Sequence, residues 1–128
     1  MRQVIKELSQ DSAAHVIYID KDNEEFSFVQ SHEELTKYVK SNLLSNKRNY
    51  LFVDEIQNIK EFEVSLRSFH TNDECEMVIT GSNAKMLSSE LSTYLSGRCV
   101  EYHIQSLDYR EFLTFHRLSD NNQSLHSY

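Results

Sequence analysis

Apolar positions along the chain switch between two periods. Consecutive or alternating apolar runs occur at His15–Asp20, Tyr50–Val53, Cys75–Thr80 and Cys99–Gln105. Around them, apolar residues recur at three- and four-residue intervals. The sets are Val4, Ile5 and Leu8; Leu35, Val39 and Leu43 with Tyr38 beside them; Ile59, Phe62, Leu66 and Phe69; Leu87, Leu91, Tyr94 and Leu95; and Tyr109, Phe112, Leu113 and His116. The first period is that of a strand and the second that of a helix. The pattern predicts α-β-α-β-α-β-α-β-α. Strands alternating with helices require right-handed crossovers and a parallel sheet with helices on both faces, a three-layer α/β domain.

Local signals set the expected boundaries. No capping residue precedes the helix at 2–10, so it reads as the tail of a longer helix. The charged loop Lys21 to Glu25 leads to Phe26 and Phe28, which tuck back toward the core. Ser31-His-Glu-Glu34 has the capping-box pattern and predicts a helix to about Ser45. Asn58, with Glu61 three residues on, is expected to cap the next helix, Asn83 to begin one ending near Leu95 with Gly97 as its C-terminal cap, and Ser106 to cap one running to about Arg117. Residues 1–117 thus form one domain, and the polar stretch 118–128 a tail or the start of a linker.

Composition narrows the classes. At 128 residues the chain is one domain's worth, enough to bury roughly two thirds of its unfolded surface. Thirteen basic residues against twenty acidic ones, with no Lys/Arg block, argue against an autonomous nucleic-acid-binding surface. No apolar run approaches the length of a membrane span and no signal peptide opens the chain, so a cytoplasmic location is the default expectation. Cys75 and Cys99 are in no metal-ligand spacing and read as reduced, and no histidine pairs at a zinc-like spacing. The only glycines are Gly81 and Gly97, so the sequence contains no Gly-rich phosphate loop.

The chemistry concentrates at strand ends. Tyr50-Leu-Phe-Val53 is a run suited to a strand buried on both faces, and it stops at two adjacent carboxylates, Asp54 and Glu55. In an open parallel sheet, ligands bind beyond the carboxyl ends of the strands. Thr80-Gly-Ser-Asn83 ends another strand on the same edge, and Ser96-Gly-Arg98 precedes the last one. Phosphoryl transfer to water uses these residue types: one acid for Mg²⁺, one to orient or deprotonate water, polar groups toward the γ-phosphate, and an arginine against developing charge. The plainer readings are a polar turn for Asp54 and Glu55, a helix cap for Ser82 and Asn83, and a solvated turn for Arg98.

Tyr50-Leu-Phe-Val-Asp-Glu-Ile-Gln57 resembles the Walker B strand of AAA-type P-loop ATPases, particularly a prokaryotic subgroup with Asp-Glu-Ile-Gln at this place. Thr80–Asn83 resembles that subgroup's sensor segment, Leu95-Ser-Gly-Arg98 its arginine-bearing segment, and Leu107–Leu113 its following helix. The resemblance covers roughly residues 1–115. It implies ATP binding and hydrolysis with Mg²⁺. Asp54 would help hold the metal, Glu55 would be the catalytic base, and Ser82, with Asn83 as second candidate, would occupy the sensor position facing the nucleotide. Arg98 would be an arginine finger acting on a neighbouring subunit's nucleotide.

The departure from that family lies at the start. Its first strand and its Gly-x-x-x-x-Gly-Lys-Ser/Thr loop are absent from these residues, and Arg2–Ser9 corresponds to the end of the helix that follows them. The resemblance therefore implies a P-loop NTPase-like core lacking its first strand, cut or descended from a longer protein, with ATP and Mg²⁺ held weakly or not at all by this chain alone. The absent strand would lie between 75–80 and 99–105. These two strands are then expected to pair directly or with another copy, through exposed edges. Two further readings stay open. One is a non-catalytic α/β interaction module. The other is a flavodoxin-like domain with Asp20 and Asp54 as strand-end acids, which lacks the lysine and the close acidic pair at the first strand end that such receivers use.

Overall fold

The computed structural model describes residues 1–82 and 99–119. The chain divides into two compact units, residues 1–98 and 99–128. In the first, the described elements are α1 (Arg2–Leu8), β1 (Ala14–Asp20), α2 (His32–Asn42), β2 (Arg48–Asp54), α3 (Phe62–Thr71) and β3 (Glu76–Ile79). The second contributes α4 (Tyr109–His116). The expected helix at 83–95, with Asn83, Gly97 and Arg98, lies outside the described residues, as does the tail beyond 119.

The strands form one parallel sheet in the order β1-β2-β3. In register, Asp20 stands beside Asp54, and Val53 beside Ile79. Side chains alternate across the sheet, so this register sorts them into two sets. One face carries Ile17, Ile19, Leu51 and Val53, which form the core with Leu35 and Val39 of α2 and Phe62, Leu66 and Phe69 of α3. These are the residues the helical and strand periods selected. The other face carries Tyr18, Asp20, Phe52, Asp54 and Val78. Arg2 of α1 pairs with Asp20 at 3.7 Å, which places α1 on this side. Phe52 is 1% exposed there, whereas Val78 is 42% exposed. Described helices thus lie on both faces of a parallel sheet, as in an α/β P-loop-like fold.

Four expectations need correction. Helix α2 does carry its capping box, with the Ser31 N–H donating to Glu34 at 3.0 Å, but it stops at Asn42. Leu43 turns extended, and Asn49 clasps the N–H and the carbonyl of Leu44, both at 3.0 Å, closing the turn before Ser45. Asn58 caps nothing: Ile56–Asn58 is a 3₁₀ turn, and the next residues pair with the segment ahead of α2. The Lys60 N–H donates to Gln30 and the His32 N–H to Lys60, at 2.9 and 3.0 Å, which delays α3 until Phe62. Asp108, not Ser106, caps α4. Its carboxylate accepts from the Glu111 N–H at 2.8 Å while Glu111 accepts from the Asp108 N–H at 3.0 Å, the two reciprocal bonds of a capping box.

The largest correction concerns 99–105. No strand forms there. Val100, Tyr102 and Ile104 are 77%, 83% and 91% exposed. A strand exists only by hydrogen-bonding a neighbour, and alternation without a partner leaves each N–H and C=O to water.

Candidate functional site at the carboxyl edge of the sheet

The ends of β1, β2 and β3 bring a set of oxygen-bearing side chains together. Asp54 ends β2 on the α1 face. Thr80, one residue past β3, donates its hydroxyl to Asp54 Oδ1. The backbone fixes this contact twice, because the Thr80 N–H bonds the Val53 carbonyl at 2.9 Å and the Thr80 carbonyl takes the Ile56 N–H at 3.0 Å. From the other side, the Tyr18 hydroxyl reaches Asp20 Oδ2 at 3.3 Å and Asp54 Oδ2 at 3.5 Å. Burial pushes the Tyr18 phenol above its ordinary value; Asp20 and Asp54 add to this and a contact from Arg2 opposes it. The phenol therefore keeps its one proton throughout the neutral range and can donate it to either acid, with Asp20 the nearer.

Glu55 diverges from its neighbour. Its backbone is left-handed, at φ 55° and ψ 50°, which turns the chain out of the sheet into the 3₁₀ turn whose Ile56 side chain is fully buried. A non-glycine residue in this region costs on the order of 1 kcal/mol, here offset by the buried anchor that follows. The turn carries the Glu55 carboxylate toward Ser82, whose hydroxyl donates to Oε2 at 3.0 Å. The Gln57 amide donates to the same oxygen and lies 3.2 Å from Ser82 Oγ. Hydrogen bonds from Gln57 first, and then from the Ser82 side chain and backbone, hold the Glu55 carboxyl below the usual range against the opposing effect of burial. Glu55 is thus ionised and oriented; the same hydrogen bonds make it a weaker proton acceptor, so what they supply is orientation.

The edge therefore gathers Asp54, Glu55 and Ser82, as the strand-end reading expected. Asn83 and Arg98 lie outside the described residues. Sequence reasoning placed Thr80 and Gln57 in the strand-end segments without giving either a role, and it missed Tyr18. The signal for two of them was present: Tyr18 and Thr80 have the same parity along their strands as Asp54, and a parallel register puts equal parities on one face.

Residues 1–113 match the model of a family described as "AAA domain". The chain belongs to the AAA domain family. Among curated proteins, an uncharacterized protein of Haemophilus influenzae is 31% identical over 103 residues, covering 80% of this chain and 26% of its own length. The uncharacterized protein MJ1544 of Methanocaldococcus jannaschii is 33% identical over 99 residues, 77% of this chain and 22% of its own length. The chain spans about a quarter of the length of these relatives. No solved structure matches it.

AAA domains generally bind ATP with Mg²⁺. The side chains at this edge fit the metal better than the triphosphate. Mg²⁺ keeps several waters and takes one or two carboxylates plus phosphate oxygens, a demand that half-exposed Asp54 can meet. No group of three or more His, Cys, Asp or Glu side chains among the described residues is placed to hold a metal, so the remaining ligands would be water and phosphate. A triphosphate needs cations and backbone N–H groups, and two cations of the described residues, Arg2 and Lys21, are engaged by other groups. Arg2 pairs with Asp20, and the Lys21 ammonium donates to the Phe26 and Val29 carbonyls at 2.8 and 2.6 Å. No helix among the described residues is long and apolar enough to cross a membrane.

Proposed function

We propose that this AAA domain carries the hydrolytic half of an ATP site, with Glu55 as the general base. The observation that supports this reading is the orientation of the Glu55 carboxylate, held by Gln57 and Ser82 beside Asp54 at the carboxyl edge of the sheet. In the proposal, Glu55 orients a water and takes its proton, while Ser82, with Asn83 as second candidate, aligns the terminal phosphate. Arg98 answers charge on a neighbouring subunit's nucleotide. Asp54 holds Mg²⁺, which supplies the charge neutralisation that phosphoryl transfer needs. Residues 1–117 form the ATPase part, followed by a tail or linker.

The 128 residues lack the phosphate loop, and each missing donor costs about 3 kcal/mol of transition-state stabilisation. The expected result for this chain alone is therefore ATP turnover at the background rate. Joined to an upstream strand, Gly-x-x-x-x-Gly-Lys-Ser/Thr loop and helix start, it should turn over ATP, and Glu55→Gln should then cut kcat by at least ~100-fold. Ordinary Mg²⁺-dependent turnover by the chain alone overturns the half-site reading; an undiminished Glu55→Gln enzyme overturns the base.

A second reading, a non-catalytic α/β interaction module, is favoured by the engagement of Arg2 with the Asp20 carboxylate and of Lys21 with the Phe26 and Val29 carbonyls. It predicts no nucleotide binding even in the completed chain. AAA domains often oligomerise. We propose that the outer edge of β3, which pairs with β2 on one side only among the described residues, is where self-association occurs. Light scattering at the monomer mass would count against it.

A further inference from the structure

We infer that Thr80 is the positioning residue of the Asp54 carboxylate, pinning one of its oxygens so that the other stays available to a divalent cation. The inference rests on the reading of Asp54 as the metal carboxylate and adds a residue to it. Thr80 donates its hydroxyl to Asp54 Oδ1. Three constraints keep it there. The Thr80 N–H is bonded to the Val53 carbonyl and the Thr80 carbonyl to the Ile56 N–H, so its main chain straddles Asp54. The β-branched side chain is stiff about χ1. Strand alternation puts Thr80 and Asp54 on the same face of the sheet.

The other oxygen is treated differently. Among the described residues, Asp54 Oδ2 has only the Tyr18 hydroxyl, at 3.5 Å, the far limit of a hydrogen bond, and that hydroxyl lies closer to Asp20 at 3.3 Å. Asp54 is thus held firmly on one oxygen and loosely on the other. A ligand carboxylate oriented by an outer hydrogen bond has this form, and losing the outer partner commonly weakens metal affinity 10- to 100-fold. A sensor hydroxyl, by contrast, must face the nucleotide. The Thr80 hydroxyl is committed to Asp54, as the Ser82 hydroxyl is to Glu55.

The test uses the 128-residue chain and Mn²⁺ as the probe, without nucleotide, reading paramagnetic broadening of amide resonances around residue 54. Asp54→Asn should abolish the localised broadening. Thr80→Val, which keeps shape and loses the hydroxyl, should raise the apparent Kd for Mn²⁺ about 10- to 100-fold, and Thr80→Ser should restore it to within about threefold. If Thr80→Val fails to fold, Thr80→Ala serves in its place with the same expectation. Wild-type affinity in a folded Thr80→Val or Thr80→Ala chain, with Asp54→Asn silent, overturns the role of Thr80 alone. Undiminished broadening in Asp54→Asn, or no localised broadening around residue 54 in the wild-type chain at millimolar Mn²⁺, overturns the metal reading of Asp54 and the inference together. Equal weakening in Thr80→Ser and Thr80→Val overturns the hydroxyl as the cause.

Discussion

Tyr50–Val53 and Cys99–Gln105 are two apolar runs of comparable strand character, and they end in opposite states. The first is hydrogen-bonded to β1 on one side and β3 on the other, with Leu51, Phe52 and Val53 at most 1% exposed. The second is in no strand, and its Ile104 is 91% exposed. The alternation of Val100, Tyr102 and Ile104 is, if anything, the more regular pattern. Strand propensity describes how well a side chain fits a pleated, half-buried surface, and it does not supply that surface. Only where neighbouring strands already present their N–H and C=O groups does the pattern become a strand.

The sharpest way to break this comparison is to truncate one large residue in each run. Phe52→Ala should cost about 3–5 kcal/mol of unfolding free energy, since a fully buried ring leaves a cavity, whereas Ile104→Ala should stay within about 0.5 kcal/mol. Urea titration followed by circular dichroism reads both. Comparable losses would show that 99–105 is packed in solution. Amide hydrogen exchange asks the same of the backbone: Leu51–Val53 should open only with the whole fold, and 100–105 should exchange at near-unprotected rates.

The two cysteines extend the comparison to reactivity. Cys75, ahead of β3, is half-buried, and burial, aided by the Glu74 and Glu76 charges, pushes its thiol up to about 11, whereas Cys99 is exposed. At pH 8 a disulfide reagent should label Cys99 first, with Cys75 on the order of a hundredfold slower because the thiolate is the reacting form. Labelling of Cys75 should accelerate as pH rises toward 11. The sign for stability follows: a thiol raised on folding contributes below its unfolded value near 9 and loses that contribution as pH climbs through about 11. A smaller effect comes from a local signal that worked. Ser31→Ala removes half of the α2 capping box and should cost about 1 kcal/mol, measurable by the same titration.

The candidate site was legible in part for similar reasons. Asp54 and Glu55 announced themselves because two acids end an apolar run, and Ser82 because small polar residues end the next strand. Gln57 gave no comparable signal: its link to Glu55 depends on the left-handed turn at Glu55. Asn58 and Ser106 looked like caps by residue type, yet Glu61 and Asp108 hold those places, because the Lys60 pairing and the Asp108–Glu111 box decided where the helices begin.

By itself the sequence determined the α/β alternation as far as β3, most of the core set from Ile17 to Phe69, though not Val29 or Ile56, and the position of the acids at a strand end. Each of these follows from a period or an adjacency along the chain. The tertiary structure alone decided which alternating run became a strand, which carboxylate Thr80 and Tyr18 would hold, and the separate directions of Asp54 and Glu55. Those outcomes depend on register and on hydrogen-bond partners distant in sequence. No local pattern encodes such pairings, because a backbone group is satisfied only by whatever the folded chain brings beside it.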